Sequence, residues 1–286
     1  MKYAFIRTES THYKVNALCD LLGVSRSGYY DWKDRAPSKR ELANQRLLGK
    51  IQTLHKTHKQ RYGSPRMHAA LVKNGDHVSK GRVERLMRNH HIVAQRAKRH
   101  KRVYIQREQQ KAPPNVLSRN FDAATPDCKW VSDITFIPTR EGYLYLAIVL
   151  DIFSRAIVGW AMSHRINGDL VLAALDMAIE HRGSPKGVMV HSDQGSQYTA
   201  EAYREKLNQH DMVCSMSRKG ECHDNAVAES FFHTLKEELV HDESYAKRQQ
   251  AKHSIFKDIE LYYNRQRLHS YLGYEAPLVY ERMHTA

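Results

Sequence analysis

At 286 residues, 41% of them hydrophobic, the chain is long enough for two or three units and for at least one sizeable core. Its longest apolar run, Leu144 to Ile152, is strand-sized, and Met1 to Ile6 is cut short by Arg7, so neither a membrane span nor a signal peptide is expected. The net charge of +14 is uneven: residues 1–120 carry 27 Lys+Arg against 8 Asp+Glu, a net of +19, and residues 121–286 carry 18 against 23, a net of −5. A cationic front half of that size suits a polyanion, because neutralised phosphates release counterions. The cysteines Cys19, Cys128, Cys214 and Cys222 are scattered without a CxxC pair, which fits a cytosolic protein with reduced thiols.

Residues 11–35 read as a helix-turn-helix. Val15, Leu18, Cys19 and Leu22 recur at helical spacing, Gly23 suits a left-handed terminator, and Ser25 is placed to cap a second helix from Arg26 to Lys33. Residues 41–103 repeat the logic. Leu42, Leu47, Leu48, Ile51 and Leu54 predict one helix and Met67 to Val72 another. Asn74-Gly75 make a turn, and Ser79 caps a helix from Lys80 to Asn89. That last helix turns Val83, Leu86 and Met87 inward and Lys80, Arg82, Arg85 and Arg88 largely outward. A recognition helix needs both faces, one to dock and one for phosphates and base edges. The run from Arg96 through Lys98 and Arg99 to Arg102 reads as a basic linker able to follow a DNA backbone.

From Lys129 the pattern changes. Trp130 to Ile137, Tyr143 to Ile152 and Ala156 to Ser163 read as three strands whose short connections make them antiparallel. A helix from Asp169 to His181, a strand from Val188 to Asp193, a helix from Thr199 to His210, a strand from Met212 to Met216 and a helix from Asn225 to Leu239 follow. This order describes a mixed α/β sheet of the ribonuclease H kind.

Three acids stand out by position. Asp133 lies within a strand among apolar residues, where a carboxylate is costly unless it is paired or binds metal. Asp193 ends the fourth strand, and Glu229 lies on the late helix with His233 and Lys236 on its face. Phosphodiester chemistry suits this set: two Mg²⁺ ions can activate the attacking oxygen and stabilise the leaving one, with Asp133 shared and Asp193 and Glu229 each completing one site. Lys236 could reach a phosphate at a DNA end. Asp151 reads as a structural or supporting acid, and Asp224 and Glu221 as loop acids before the helix. His191, His223, Cys214 and Cys222 match no zinc spacing, and no GxxxxGK[ST] loop exists.

Asp133 and Asp193 have 59 residues between them, and Asp193 and Glu229 have 35. This resembles the D,D(35)E signature of retroviral integrases and related transposases. The words around the acids are similar too: Trp130-Val131-Ser132-Asp133-Ile134-Thr135, His191-Ser192-Asp193-Gln194-Gly195-Ser196-Gln197-Tyr198 and Asp224-Asn225-Ala226-Val227-Ala228-Glu229. So are Tyr263-Asn264-Arg265 with Arg267, His269, Leu272-Gly273-Tyr274 and Pro277 near the end, and Arg61-Tyr62-Gly63-Ser64-Pro65-Arg66 at the front. Nearly the whole chain resembles the second-reading-frame transposases of the third insertion-sequence family of bacteria.

The resemblance implies a ribonuclease H-like integrase catalytic core at 124–245, preceded by helix-turn-helix units at 1–38 and 41–103 and a linker at 104–123, and followed by a helical extension at 246–286. It implies cleavage at the element's ends, dependent on Mg²⁺ or Mn²⁺, then attack by the freed 3′-hydroxyl on another phosphodiester. The implied partners are double-stranded DNA (terminal repeats and target), a second copy of the chain, and an upstream-frame product joined by frameshift. The implied setting is the bacterial cytoplasm, at the nucleoid when DNA is bound. A structure-specific nuclease on the same fold, or a DNA-binding regulator, would share these features.

Overall fold

The computed structural model describes residues 2–95, 113–218 and 221–285, so Arg96, Lys98 and Arg99 of the basic run lie outside the described residues. At the front, α1 (Lys2–Glu9), α2 (Val15–Leu22) and α3 (Arg26–Asp34) enclose Ile6, Leu18, Cys19 and Tyr29. Gly23 adopts φ +58° after α2, and Ser25 Oγ accepts from the Gly28 N–H at 3.1 Å at the start of α3. Helix α1 is absent from the sequence reading, because its eight residues bury only Ile6 fully and carry little periodic signal. A second helical unit joins α4 (Lys39–Thr57), α5 (Ser64–Lys73) and α6 (Lys80–Asn89) around Leu47, Ile51, Met67, Leu71, Val83, Leu86 and Met87. Gly75 turns the chain at φ +85°, and Ser79 caps α6.

The sheet contains β1 (Lys129–Ile137), β2 (Leu144–Asp151), β3 (Ile157–Ser163), β4 (Met189–Ser192) and β5 (Val213–Met216), in the order β3-β2-β1-β4-β5. The first three are antiparallel, and β4 and β5 run parallel to β1. With its helices this is the ribonuclease H-like arrangement. Both faces are covered, which is why β2 reads as a continuous apolar run. On one face α7 (Gly168–His181), α8 (Ser196–Thr199) and α9 (Glu201–Gln209) pack on Trp130, Ala147, Val149 and Val158. On the other, α10 (Ala226–Leu235) and α11 (Arg248–Lys257) pack on Val131, Leu146, Ile148 and Leu150.

Two helices differ from expectation. The one expected from Thr199 to His210 begins two residues later, as α9, because Ala200 is extended between it and the short α8. The one expected to run to Leu239 stops being α-helical at Leu235 and continues as a π-helical turn, Lys236–Val240. The wider turn buries Leu239 and Val240 together and brings Glu238 against Arg66 and Arg267.

After α11 a second π-helical turn, Asp258–Tyr263, returns the chain to the sheet edge, where the Asn264 side chain bonds both the N–H and the C=O of Ile157 at 2.9 Å. Leu268 and Tyr274 then join the apolar cluster of the second helical unit, and α12 (Pro277–His284) closes the chain. Among the described residues no helix is long and apolar enough to cross a membrane.

Helix α7 lies so close on β3 that a Cβ at Gly159 would stand 2.2 Å from the Ala174 carbonyl oxygen and 2.6 Å from the Ala178 nitrogen. Both neighbours are backbone and cannot rotate away. Gly159→Ala is expected to destabilise the fold by about 3 kcal/mol, read as a fall in the urea midpoint at unchanged slope.

Candidate active site

The first two acids lie just beyond a parallel strand pairing. β1 and β4 pair in parallel, with Lys129 beside Met189, Trp130 beside Val190 and Val131 beside His191. The ladder ends there, and Asp133 and Asp193 each lie two residues beyond its last pair, Val131 and His191. Asp133 is half-buried, and its Oδ1 accepts from the Ile134 N–H at 2.8 Å. Asp193 stands where β4 gives way to the loop, exposed at one side and backed by protein at the other. Burial pushes its carboxyl up, against a 3.0 Å hydrogen bond from the Gly195 N–H. A Cβ at Gly195 would lie 3.0 Å from Asp193 Oδ1, so the close turn suits glycine.

Tyr198 lies behind β1, in the cluster under α7 to α9. Its hydroxyl lies 3.0 Å from Ser132 Oγ, and burial holds its phenol far above the usual range. Tyr203, Asp133 and Asp193 push it further in the same direction.

Glu229 comes from the opposite direction. It occupies the first turn of α10, half-buried, while Val227, Ala228, Phe231 and Leu235 seat the helix on the sheet. Asn225 Nδ2 donates to the Ser132 carbonyl at 3.2 Å, tying the start of α10 to the residue before Asp133. Asp224, fully buried, fixes the preceding 3₁₀ turn, Cys222–Asn225. It accepts from the Arg218 N–H at 3.0 Å, Arg218 Nε at 3.1 Å, Arg119 Nε at 2.7 Å and Asn115 Nδ2 at 2.8 Å. The Arg218 hydrogen bonds, then the Arg119 contact, outweigh burial and hold its carboxyl well below the usual range. Asp224 and Asn225 are therefore supports of the site. Their adjacency to the Glu229 motif was visible in the sequence, but their partners at 115, 119, 132 and 218 were not.

Among the described residues, no three His, Cys, Asp or Glu side chains stand close enough to hold a metal ion as a ready-made cage. A two-ion phosphodiester site does not need one, since Mg²⁺ is typically held by one or two carboxylates plus substrate phosphate. The donor set suits it: three carboxylates, all hard oxygen ligands, and at Asp193 a carboxyl whose ionised form is disfavoured by burial until a cation balances it.

The other acids and bases sort clearly. Asp151 is fully buried and accepts from the N–H groups of Asp127 and Ser154 at 2.8 and 2.9 Å, so it closes the β2–β3 turn. Lys236 lies with its Nζ 4.6 Å from the Phe136 ring, at the far end of β1. Arg26, Lys80, Arg85 and Arg88 are exposed, and Arg88 pairs with Glu84 at 3.2 Å. Arg82 departs from the outward orientation expected of it: it is half-buried, and its Nε donates to Asn44 Oδ1 at 2.9 Å, joining α6 to α4.

Family comparisons agree with this layout. Residues 42–100 match the model of the HTH-like domain, and residues 123–222 and 210–277 match two models of the integrase core domain. The transposase InsF for insertion sequence IS3A of Escherichia coli K12 is 38% identical over the full length of both chains. The chain belongs to the IS3 family of insertion-sequence transposases. The insertion element IS600 31 kDa protein of Shigella sonnei is also 38% identical, over 93% of this transposase and 98% of its own length. A solved HTLV-2 integrase catalytic core domain in complex with magnesium is similar at 15% identity and a TM-score of 0.44, covering 56% of this chain and 99% of that one.

Within the transposase core, His191 precedes Asp193 by two residues and is fully buried, with Nδ1 2.8 Å from Ser215 Oγ and Nε2 3.1 Å from Ser217 Oγ. Burial pushes its pKa down to about 4, with Asp224 opposing. An unfolded histidine titrates near 6.5, so below that pH the unfolded chain takes up a proton that the folded one refuses. Stability is therefore expected to fall as pH drops from 6.5 towards 4, by about 2 kcal/mol at pH 5 from this residue. Urea unfolding at pH 7 and pH 5 checks it: His191→Asn should flatten the loss.

Proposed function

We propose that Asp133, Asp193 and Glu229 are the catalytic carboxylates with which this transposase cuts the ends of its element and joins them to target DNA. The observation that carries the reading is the β1–β4 register. It runs towards Asp133 and Asp193, each two residues past its last pair, while Asn225 ties the start of the Glu229 helix to Ser132, beside Asp133. The carboxylates would hold two Mg²⁺ or Mn²⁺ ions, Asp133 serving both and Asp193 and Glu229 one each. Such ions, when bound, lower the pKa of an attacking water or 3′-hydroxyl and neutralise charge on the leaving oxygen.

The chain's own residues would do the rest. Asp133 would present its carboxyl oxygens from β1, and Asp193 from the loop that follows β4. Glu229 closes the site from a helix anchored at its first turn. Lys236 is within two turns of Glu229 and would leave the Phe136 ring for a terminal phosphate. The chain would divide into helix-turn-helix units at 1–38 and 41–103, a linker at 104–123, the core at 124–245 and the extension at 246–286. Arg26, Lys80, Arg82, Arg85 and Arg88, with Arg96, Lys98 and Arg99 of the basic run, would hold duplex DNA. Two ends must be joined to one target, so at least two copies would act together, with an upstream-frame product as a further partner. The work would take place in the bacterial cytoplasm, at the nucleoid.

Asp133→Asn, Asp193→Asn and Glu229→Gln are expected to lower end cleavage and strand transfer at least a thousandfold while leaving duplex affinity within about twofold. Gel-shift and strand-transfer assays on one labelled end duplex read both quantities. Variants that lose binding together with chemistry would assign the acids to folding, and cleavage without joining would favour a nuclease.

Reversing Arg82 and Arg85 to Glu is expected to weaken duplex binding and to lower the slope of log Kd against log salt by about 1–2. Arg85→Glu alone separates phosphate contact from the Arg82–Asn44 tie. An unchanged slope would place recognition elsewhere.

A further inference from the structure

Two of the motifs noted in the sequence, Arg61 to Arg66 and Tyr263 to Pro277, meet in space. Arg61 Nη1 donates to Asp258 Oδ1 at 2.6 Å, and both side chains are buried. Tyr62, wholly buried, donates from its hydroxyl to the Gln266 carbonyl at 3.2 Å and accepts from the Leu268 N–H at 3.0 Å. Arg66, in the first turn of α5, donates to Glu238 Oε1 at 3.0 Å. Arg267 grips the same carboxylate with two bonds, Nε to Oε2 at 2.9 Å and Nη2 to Oε1 at 2.6 Å.

Glu238 is the hub of this seam. Burial raises its carboxyl, but the hydrogen bonds and charge of Arg267, then Arg66 and Arg61, outweigh that and hold it below its ordinary value. It sits in the π-helical turn that continues α10 without a break, nine positions after Glu229. A π-helical turn inside a helix recurs at functional sites. A buried charge cluster adds little net stability over an apolar packing of the same volume; the best-attested use of such groups is to fix register.

We infer that Glu238 is a positioning residue. Through Arg66 and Arg267 it locks the helix of Glu229 to the second helical unit, so that duplex held by that unit sets the catalytic helix. The inference rests on the assignment of Glu229 above. The coupling passes through packed elements: α6 lies on α5, α5 carries Arg66, and Arg66 holds the turn that ends α10.

The test uses the full chain and a labelled duplex of the element's own terminus. Three quantities are read: duplex Kd, single-turnover nicking at saturating duplex, and hydrogen exchange of residues 226–240 with and without duplex. Glu238→Gln should bind duplex within twofold of the parent and nick at least tenfold more slowly. The protection that duplex confers on 226–240 should disappear. Arg66→Gln should behave alike, and the double variant should be no slower than the slower single one. Glu238→Asp, which keeps the charge, should recover part of the rate and of the protection, and it stands in if Glu238→Gln fails to fold.

Parent-like nicking by Glu238→Gln, unchanged protection at 226–240, or a rate loss matched by a rise in Kd would each overturn the inference. Normal nicking by Glu229→Gln would instead remove the catalytic assignment. The exchange measurement would still decide whether duplex binding reaches α10.

Discussion

The parallel pairing of β1 with β4 is the constraint on which the rest of this structure depends. A shift of one residue in that ladder would turn one aspartate to the opposite face of the sheet. The register is held by burial on both sides, with Trp130 and Val190 packed under α7 to α9 and Val131 under α10. Trp130, Val131 and Val190 therefore favour the same alignment. Burial disfavours the ionised form of Asp193, just past the end of β4.

The third acid is fixed by different physics. A helix lying on a sheet can slide and rotate, so Glu229 needs more than apolar contact. The Asn225 bond to Ser132 and the arginine-bound Asp224 pin the start of α10. The two-arginine grip on Glu238 pins the turn beyond its end. The helix is thus held at both ends by polar groups and in the middle by Phe231, Phe232 and Leu235. The far grip comes from the cationic front half and the last thirty residues together, which joins the unit with the DNA-binding charge to the unit with the chemistry.

Much of this was legible in the sequence because it was written in local patterns. The capping serines Ser25 and Ser79, the turn glycines Gly23 and Gly75 and the three-strand meander follow from short-range rules, and they stand where those rules put them. Spacing and neighbouring words singled out Asp133, Asp193 and Glu229, and the Asn225 bond to Ser132 that ties the start of α10 to β1 was not visible there. What escaped was long-range. Arg82 carries the same charge as Arg85, and only the position of Asn44, 38 residues earlier, turns it inward. Glu238 looks like a surface acid between Glu237 and Leu239, and its partners lie 172 residues before and 29 after. The π-helical turn has no local signature, because it is set by what Glu238, Leu239 and Val240 must reach.

If Asp133, Asp193 and Glu229 form one cation-binding site, a Mn²⁺ titration followed by electron paramagnetic resonance will show it, on the parent and on Asp133→Asn, each with a bound end duplex. The parent should take up about two ions per chain, and Asp133→Asn should lose both, because the shared ligand is gone. Uptake by Asp133→Asn equal to that of the parent would contradict it and would place the metal, and the chemistry, elsewhere in the chain.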